Sequence, residues 1–255
     1  MSCSRELLAR IVHISDTHIS RWGQFLEEPF NKAVAEINRL DPRPDLVIHT
    51  GDLTDNGVIY DYEYALKKIE AIEPRLIIAP GNHDERNYGH SLFYEMVSPL
   101  DYDIDLGRLA ISVANSPEPD RDTGRLGRRR QNHLEERFRT APKEHVKILV
   151  FHHHLIPVPY SGREINVLED AGDVLEMVLQ QGVDLVLMGH RHVRRVLRVE
   201  NTILVNAGTL SSLRTRGRLG HSYNIIDIFE DGTIRVLEAR VGGKQTLLSE
   251  YKKEK

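Results

Sequence analysis

The chain has 255 residues, 40% of them hydrophobic and 28% charged, with a net charge of −4. That composition suits a globular α/β protein with a full core and excludes disordered and fibrous architectures. No apolar run reaches the roughly 18 residues of a spanning helix, and Met1–Arg10 carries charges where a leader would be apolar. A single cysteine, Cys3, excludes a disulfide framework and a Cys-rich zinc site. The expectation is a soluble cytoplasmic protein with no membrane partner and no broad nucleic-acid groove.

Short apolar runs alternate with amphipathic stretches. Arg10–Ser15 reads as a strand, Pro29–Leu40 as a helix, Asp45–His49 as a strand, Tyr60–Ile72 as a helix and Arg75–Ala79 as a third strand. This β-α-β spacing predicts a mainly parallel sheet with right-handed crossovers. Ser91–Val97 reads as helical, and Tyr102–Leu106 with Leu109–Ala114 as a hairpin around Gly107-Arg108. A Pro/Asp/Gly-rich loop over Pro117–Gly127 precedes a charged helix, Arg129–Arg139. Val146–Phe151 is a strand, Glu169–Gln181 a helix and Asp184–Met188 a strand. Only strands are expected afterwards: Val193–Val199, Ile203–Val205, Tyr223–Phe229 and Thr233–Ala239, the last two around the turn Glu230-Asp231-Gly232. No repeat or linker divides the chain, so residues 1–255 are expected to form one domain ending in a frayed tail over 251–255.

The chemistry-bearing residues gather at strand ends, where ligands of α/β sheets collect. In order these are Asp16-Thr17-His18, Gly51-Asp52-Leu53-Thr54-Asp55, Gly81-Asn82-His83-Asp84, His152-His153-His154 and Gly189-His190-Arg191-His192. Singly, each has a plain structural explanation in turns and caps. Jointly, two aspartates, an asparagine and several of the chain's 13 histidines, with no cysteine, form a mixed oxygen/nitrogen set suited to Mn, Fe, Zn or Co. Such a set exceeds one tetrahedral zinc and fits a pair of ions sharing a carboxylate.

The ordered blocks Asp16-x-His18, Gly51-Asp52, Gly81-Asn82-His83-Asp84, His152 and Gly189-His190-x-His192 resemble the calcineurin-like metallophosphoesterase superfamily, from Ile11 to about Leu213. The resemblance implies a four-layer αββα sandwich, with two mixed sheets flanked by helices. It also implies a dinuclear centre of divalent or trivalent transition-metal ions. By position, Asp16, His18 and His192 would hold one ion and Asn82, His152 and His190 the other, with Asp52 bridging. His83 would protonate the leaving group or stabilise the transition state, and Asp84 would orient His83. Hydroxide formed between two ions would attack the phosphorus in line. Asn56-Gly57 after the Gly-Asp block, and Asp84 rather than Glu, look unlike the Ser/Thr protein phosphatases. Gly-Asp-Leu-Thr-Asp and Asn206-Ala207-Gly208-Thr209 look more like class III cyclic nucleotide phosphodiesterases.

The expected activity is hydrolysis of a small phosphodiester, a cyclic nucleotide among the candidates. A phosphomonoesterase or nuclease on the same centre, and a catalytically silent scaffold, are the alternatives. Nucleic acid is admitted as a partner but disfavoured, and the oligomeric state is open, a dimer included. His13 and His49 are expected to pack inside strands, and His90, His133, His145 and His221 to lie at the surface. Arg125 and Arg128–Arg130 read as a solvated surface. Arg191, Arg214 and Arg216 are candidates for phosphate contact.

Overall fold

The computed structural model describes residues 5–162 and 167–252; Cys3 and the last three residues of the expected tail lie outside the described residues. Among the described residues twelve strands form two six-stranded sheets. In the first, β1 (Leu7–Ile14), β2 (Leu46–His49) and β3 (Arg75–Ile78) run parallel, and β10 (Ser222–Phe229), β11 (Thr233–Arg240) and β12 (Gln245–Lys252) continue it antiparallel from β1. In the second, β5 (Leu109–Val113), β6 (Val146–Val150), β7 (Leu185–Met188) and β9 (Thr202–Asn206) run parallel. The strands β4 (Tyr102–Leu106) and β8 (Arg195–Val199) close its edges antiparallel.

Side-chain alternation explains why the sheets stack. Along β2, Leu46 and Ile48 face the second sheet while Val47 faces the helices. Along β6, Ile148 and Val150 face the first sheet and Leu149 faces the other way. Buried on both faces, these strands read as continuous apolar runs. Each such Ile, Leu or Val contributes about 1.5–3 kcal/mol by leaving water.

The outer layers are helices with one apolar stripe. Helix α1 (Glu27–Ile37) buries Phe30, Ala33, Val34 and Ile37, the spacing of one helical face, against the first sheet together with α2 (Ile59–Ile69) and α3 (Gly89–Met96). Helix α4 (Gly127–Thr140) lays Leu134 and Phe138, and α5 (Ala171–Gln180) Val174, Met177 and Val178, on the second. The expected αββα sandwich is therefore what the chain forms.

One expectation fails. Tyr251 and Lys252 are not tail residues but the end of β12, a strand absent from the sequence reading. It pairs only with β11 and buries little beyond Ser249, so its pattern lacks the apolar alternation of an inner strand. Among the described residues no helix is long and apolar enough to cross a membrane.

Candidate metal centre

Parallel strands of both sheets deliver their carboxyl ends to one place, and the loops that follow are stitched together there. Asp16 and His18 donate their backbone N–H groups to the carbonyls of Gly51 (3.0 Å) and Asp52 (2.9 Å). The Thr209 hydroxyl, from the turn after β9, donates to the Asp16 carbonyl at 2.7 Å. Asp16, His18, Asp52, His190 and His192 all adopt positive φ, between 50° and 76°. Backbone held in this sparsely populated region concentrates at functional sites. Gly51 is required: its φ is +95°, and a Cβ there would meet His152 Nδ1 at 2.6 Å and the Gly81 backbone at 2.8 Å.

The side chains converge in two groups. In the first, His18 Nε2 lies 3.0 Å from His192 Nε2, and Asp16 Oδ1 lies 3.3 Å from His192 Nε2. The other nitrogen of each ring is engaged: His18 Nδ1 with Asp55 Oδ1 at 3.1 Å, His192 Nδ1 with the Arg214 carbonyl. In the tautomers that donate Nδ1–H to those acceptors, the two Nε2 atoms are left as metal-type donors facing each other. In the second group, Asn82 Oδ1 lies 3.0 Å from both His152 Nε2 and His190 Nδ1. His152 Nδ1 donates to the Thr50 carbonyl at 2.7 Å, so in the neutral ring its Nε2 also carries a lone pair. Asp52 Oδ2 stands 3.6 Å from His18 Nε2 and 3.4 Å from His152 Nε2, between the groups. Asp16 Oδ1 and His190 Nε2 are buried without a hydrogen bond.

Electrostatics keep His18, His190 and Asp52 free of protons, and His152 is the exception. Burial lowers His18 to about 4 and holds His190 well below its ordinary value. Burial opposes ionisation of Asp52, but His152 and His83 outweigh it and hold the carboxyl well below the usual range. For His152 burial acts downward and the Asp52 charge and hydrogen bond overcome it, raising the ring to about 9.

His83 lies at the edge of the same cluster. Its backbone N–H donates to Asp52 Oδ1 at 2.8 Å, and its Nδ1 donates to the Asp55 carbonyl at 2.6 Å, with Asp55 Oδ1 at 3.4 Å. Burial works against its charge, yet Asp52 and Asp55 prevail and favour the protonated ring.

The expected orienting role of Asp84 is not what the geometry shows. Its carboxylate accepts from the backbone N–H groups of Leu53 (3.1 Å), Thr54 (2.8 Å) and Gly81 (2.9 Å) and from the Thr54 hydroxyl (2.9 Å). Asp84 therefore clamps the β2 and β3 loops together, and Asp55 holds His83. Burial and the Asp52 charge push the Asp84 carboxyl up to about 6, against the pull of those donors.

His153 and His154 reach neither cleft nor solvent. His153 bonds Ser116 Oγ (2.9 Å) and the Asp122 carbonyl (3.2 Å), and His154 bonds the Gly189 carbonyl (2.9 Å). His13 and His49 pack as expected, on Thr50 Oγ1 (3.1 Å) and Thr17 Oγ1 (3.0 Å).

Four residues at the site escaped the sequence reading. Asp55 and Gln24 brace His18, with the Gln24 amide also donating to Asp55 Oδ1 at 2.5 Å. Asp122 accepts from the Asn82 amide at 3.0 Å, which turns the Asn82 oxygen toward the histidines, and pairs with Arg86 at 2.7 Å. Only Asp55, inside the quoted Gly-Asp block, had a signal in the sequence. The cleft over the cluster, about 180 Å³, is lined by Arg86, Arg191, Arg214 and Arg216 besides the ligand-type residues. The Arg214 guanidinium makes no ion pair or hydrogen bond among the described residues.

A buried Asp/His cluster beneath arginines suits metal-assisted chemistry on an anionic ester. The chain matches calcineurin-like phosphoesterases over residues 9–194 and belongs to that family. A probable glycerophosphodiester phosphodiesterase GpdQ of Arcobacter nitrofigilis is 26% identical over 197 residues, covering 73% of this chain and 72% of the relative. The 3′,5′-cyclic adenosine monophosphate phosphodiesterase CpdA of Escherichia coli is 25% identical over 246 residues, covering 90% and 88%. In fold, the purple acid phosphatase PPD1 of yellow lupin seeds superposes with a TM-score of 0.75 at 16% identity, over 95% of this chain. The chain spans 53% of that larger protein. With its family and its buried cluster, the protein is a metal-dependent phosphoester hydrolase.

Proposed function

We propose that the protein hydrolyses a small phosphodiester, with cyclic nucleotides the first substrates to try, on two first-row transition-metal ions drawn from Mn, Fe, Zn and Co. The observation that carries this is a buried convergence of metal-type donors: Asp16 Oδ1 and His190 Nε2 have no hydrogen bond, and Asp52 Oδ2 stands 3.6 Å from His18 Nε2 and 3.4 Å from His152 Nε2. Imidazole, carboxylate and amide donors gathered in this way fit those metals.

Asp16, His18 and His192 would hold one ion, Asn82, His152 and His190 the other, and Asp52 would stand between. Such a pair, when bound, neutralises phosphate charge and lowers the pKa of water. The remaining residues do the positioning. Asp55 fixes the His18 ring, and Asp122 fixes the Asn82 amide. His83, its Nδ1 proton held by Asp55, presents Nε2 as the acid for a departing alkoxide. Arg214 and Arg86 face the phosphate oxygens. The cleft, about 180 Å³, suits a small ester better than a polynucleotide. The chain would act as one domain, since the core between the sheets draws on both. A cytoplasmic site of action belongs to the same proposal.

The test is hydrolysis of bis-p-nitrophenyl phosphate beside p-nitrophenyl phosphate, after chelation and with Mn restored. Metal-dependent preference for the diester is expected. Preference for the monoester would make the protein a phosphatase, and silence on both with metal bound would leave an enzyme of narrow specificity or a scaffold, which a screen of natural phosphoesters separates.

A further inference from the structure

A second cleft of about 550 Å³ shares no lining residue with the metal cleft. Part of its wall is built from acceptors: Glu85 from the loop after β3, His90 at the start of α3 and Asn115 just past β5. Glu85 is only 1% exposed; the Asn115 side chain is within hydrogen-bond reach of it but off ideal geometry, and neither carboxylate oxygen accepts a well-aligned hydrogen bond. Asn115 is buried beside it with its own Oδ1 unpartnered, and His90, expected at the surface, carries a buried Nδ1 without a partner. Buried polar atoms are nearly always hydrogen-bonded, so a group of orphans in one cavity calls for something that supplies donors.

Arginines stand out in the rest of the wall, where Arg125 is paired with Glu118 of the same wall at 2.7 Å. Arg128, Arg129 and Arg130 come from the first turn of α4, whose N-terminal N–H groups at Leu126 and Gly127 are already taken by the Asp170 carboxylate at 3.1 and 2.7 Å. Asp101 engages Arg130 at 2.7 Å and Asp173 lies 3.7 Å from Arg128. Arg129 lines the cleft with no ion pair or hydrogen bond among the described residues.

The two parts of the wall ask for different groups. Carboxylate and amide oxygens take N–H donors, best an adjacent pair matching the two oxygens of Glu85. Guanidinium groups take phosphate. A volume of about 550 Å³ is that of an ordinary small-molecule site. We propose that this cleft is a second binding site, separate from the metal centre, for a small phosphorylated molecule whose other end carries N–H donors. A guanine nucleotide and a phosphorylated amine share that chemistry, the first through its base edge and the second through its ammonium group.

Calorimetric titration of the metal-loaded protein with guanosine monophosphate, phosphoethanolamine and inorganic phosphate tests the site and tells the two sources apart. Saturable binding of one of the first two is expected, at least tenfold tighter than phosphate alone. It should weaken at least tenfold in both Glu85→Gln and Arg129→Ala, while Arg129→Ala hydrolyses bis-p-nitrophenyl phosphate at the wild-type rate. The proposal is overturned if neither probe binds, if phosphate alone binds as tightly, or if binding survives in both variants. Displacement by bis-p-nitrophenyl phosphate would overturn it too, by placing the probe in the metal cleft.

Discussion

At the strand ends the buried ligand-type groups crowd one another, His18 against His192 and Asn82 against His152 and His190, each at 3.0 Å. Beside α4 the acceptors Glu85, Asn115 and His90 instead line a cleft of about 550 Å³. Ligand-type groups in mutual contact leave room only for something of ionic size, whereas polar groups around an open volume leave room for a molecule. The loops differ accordingly. Positive φ and glycine-tight crossings force the metal-site side chains together, as the close approach of Gly51 to His152 and Gly81 shows. Glu85 follows that machinery directly in sequence but takes no part in its hydrogen bonding.

The largest effects should come from the crowded cluster. His192→Ala and Asn82→Ala each remove a member of one group, so metal content measured on the purified protein should fall and hydrolysis should drop to background. Arg129→Ala, at the other cleft, should leave both unchanged. Retention of full metal content in both ligand variants would break the contrast, because the crowded acceptors would then be satisfied by something else.

His83 and Asp55 sharpen the division within the cluster. His83→Ala should keep the metals and lose about 10²–10⁴ in kcat, the usual worth of a general acid. Asp55→Ala should do less to turnover, about 10–100-fold, but should also weaken metal binding, because Asp55 holds His18 as well as His83. Metal titration alongside steady-state kinetics separates the two. A folded His83→Ala protein without metal would show His83 to be a ligand.

What could be read from the sequence follows from how local each cause is. Strands buried on both faces announce themselves as apolar runs, and the residues just past them, from Asp16 to His192, are the ones the fold brings together. β12 stayed hidden because an edge strand with one partner needs no apolar pattern. The Asp84 assignment failed for a related reason. Adjacency to His83 in sequence implies no contact in a turn, where successive side chains diverge, and four donors from Leu53, Thr54 and Gly81 draw Asp84 away. Asp122 was unreadable in principle. Its value lies in meeting Asn82, 40 residues earlier, and a Pro/Asp/Gly loop carries no periodicity to show where it folds back.

The smallest effect on catalysis, and the sharpest on stability, belongs to Glu85. Burial pushes its carboxyl from the ordinary 4.5 up to about 7, with Asp84 and Asp101 adding to the shift and Asn115 and Arg130 opposing it. A carboxyl raised on folding binds a proton that the unfolded chain releases, so the folded state loses stability as pH rises from about 4.5 through 7. A shift of about 2.5 units at 1.36 kcal/mol each makes the full loss about 3 kcal/mol above pH 7. Glu85→Gln removes the ionisation and keeps the shape. It should therefore unfold at higher denaturant than the wild type at pH 8, with a smaller difference at pH 5. Phosphorylated ligand titrated into the wild type at pH 8 should recover part of that difference, since donors brought to the carboxylate offset its desolvation. Equal midpoints for the two proteins at pH 8 would mean that Glu85 is already satisfied by water, and its cleft would then lose its distinction from an ordinary hydrated pocket.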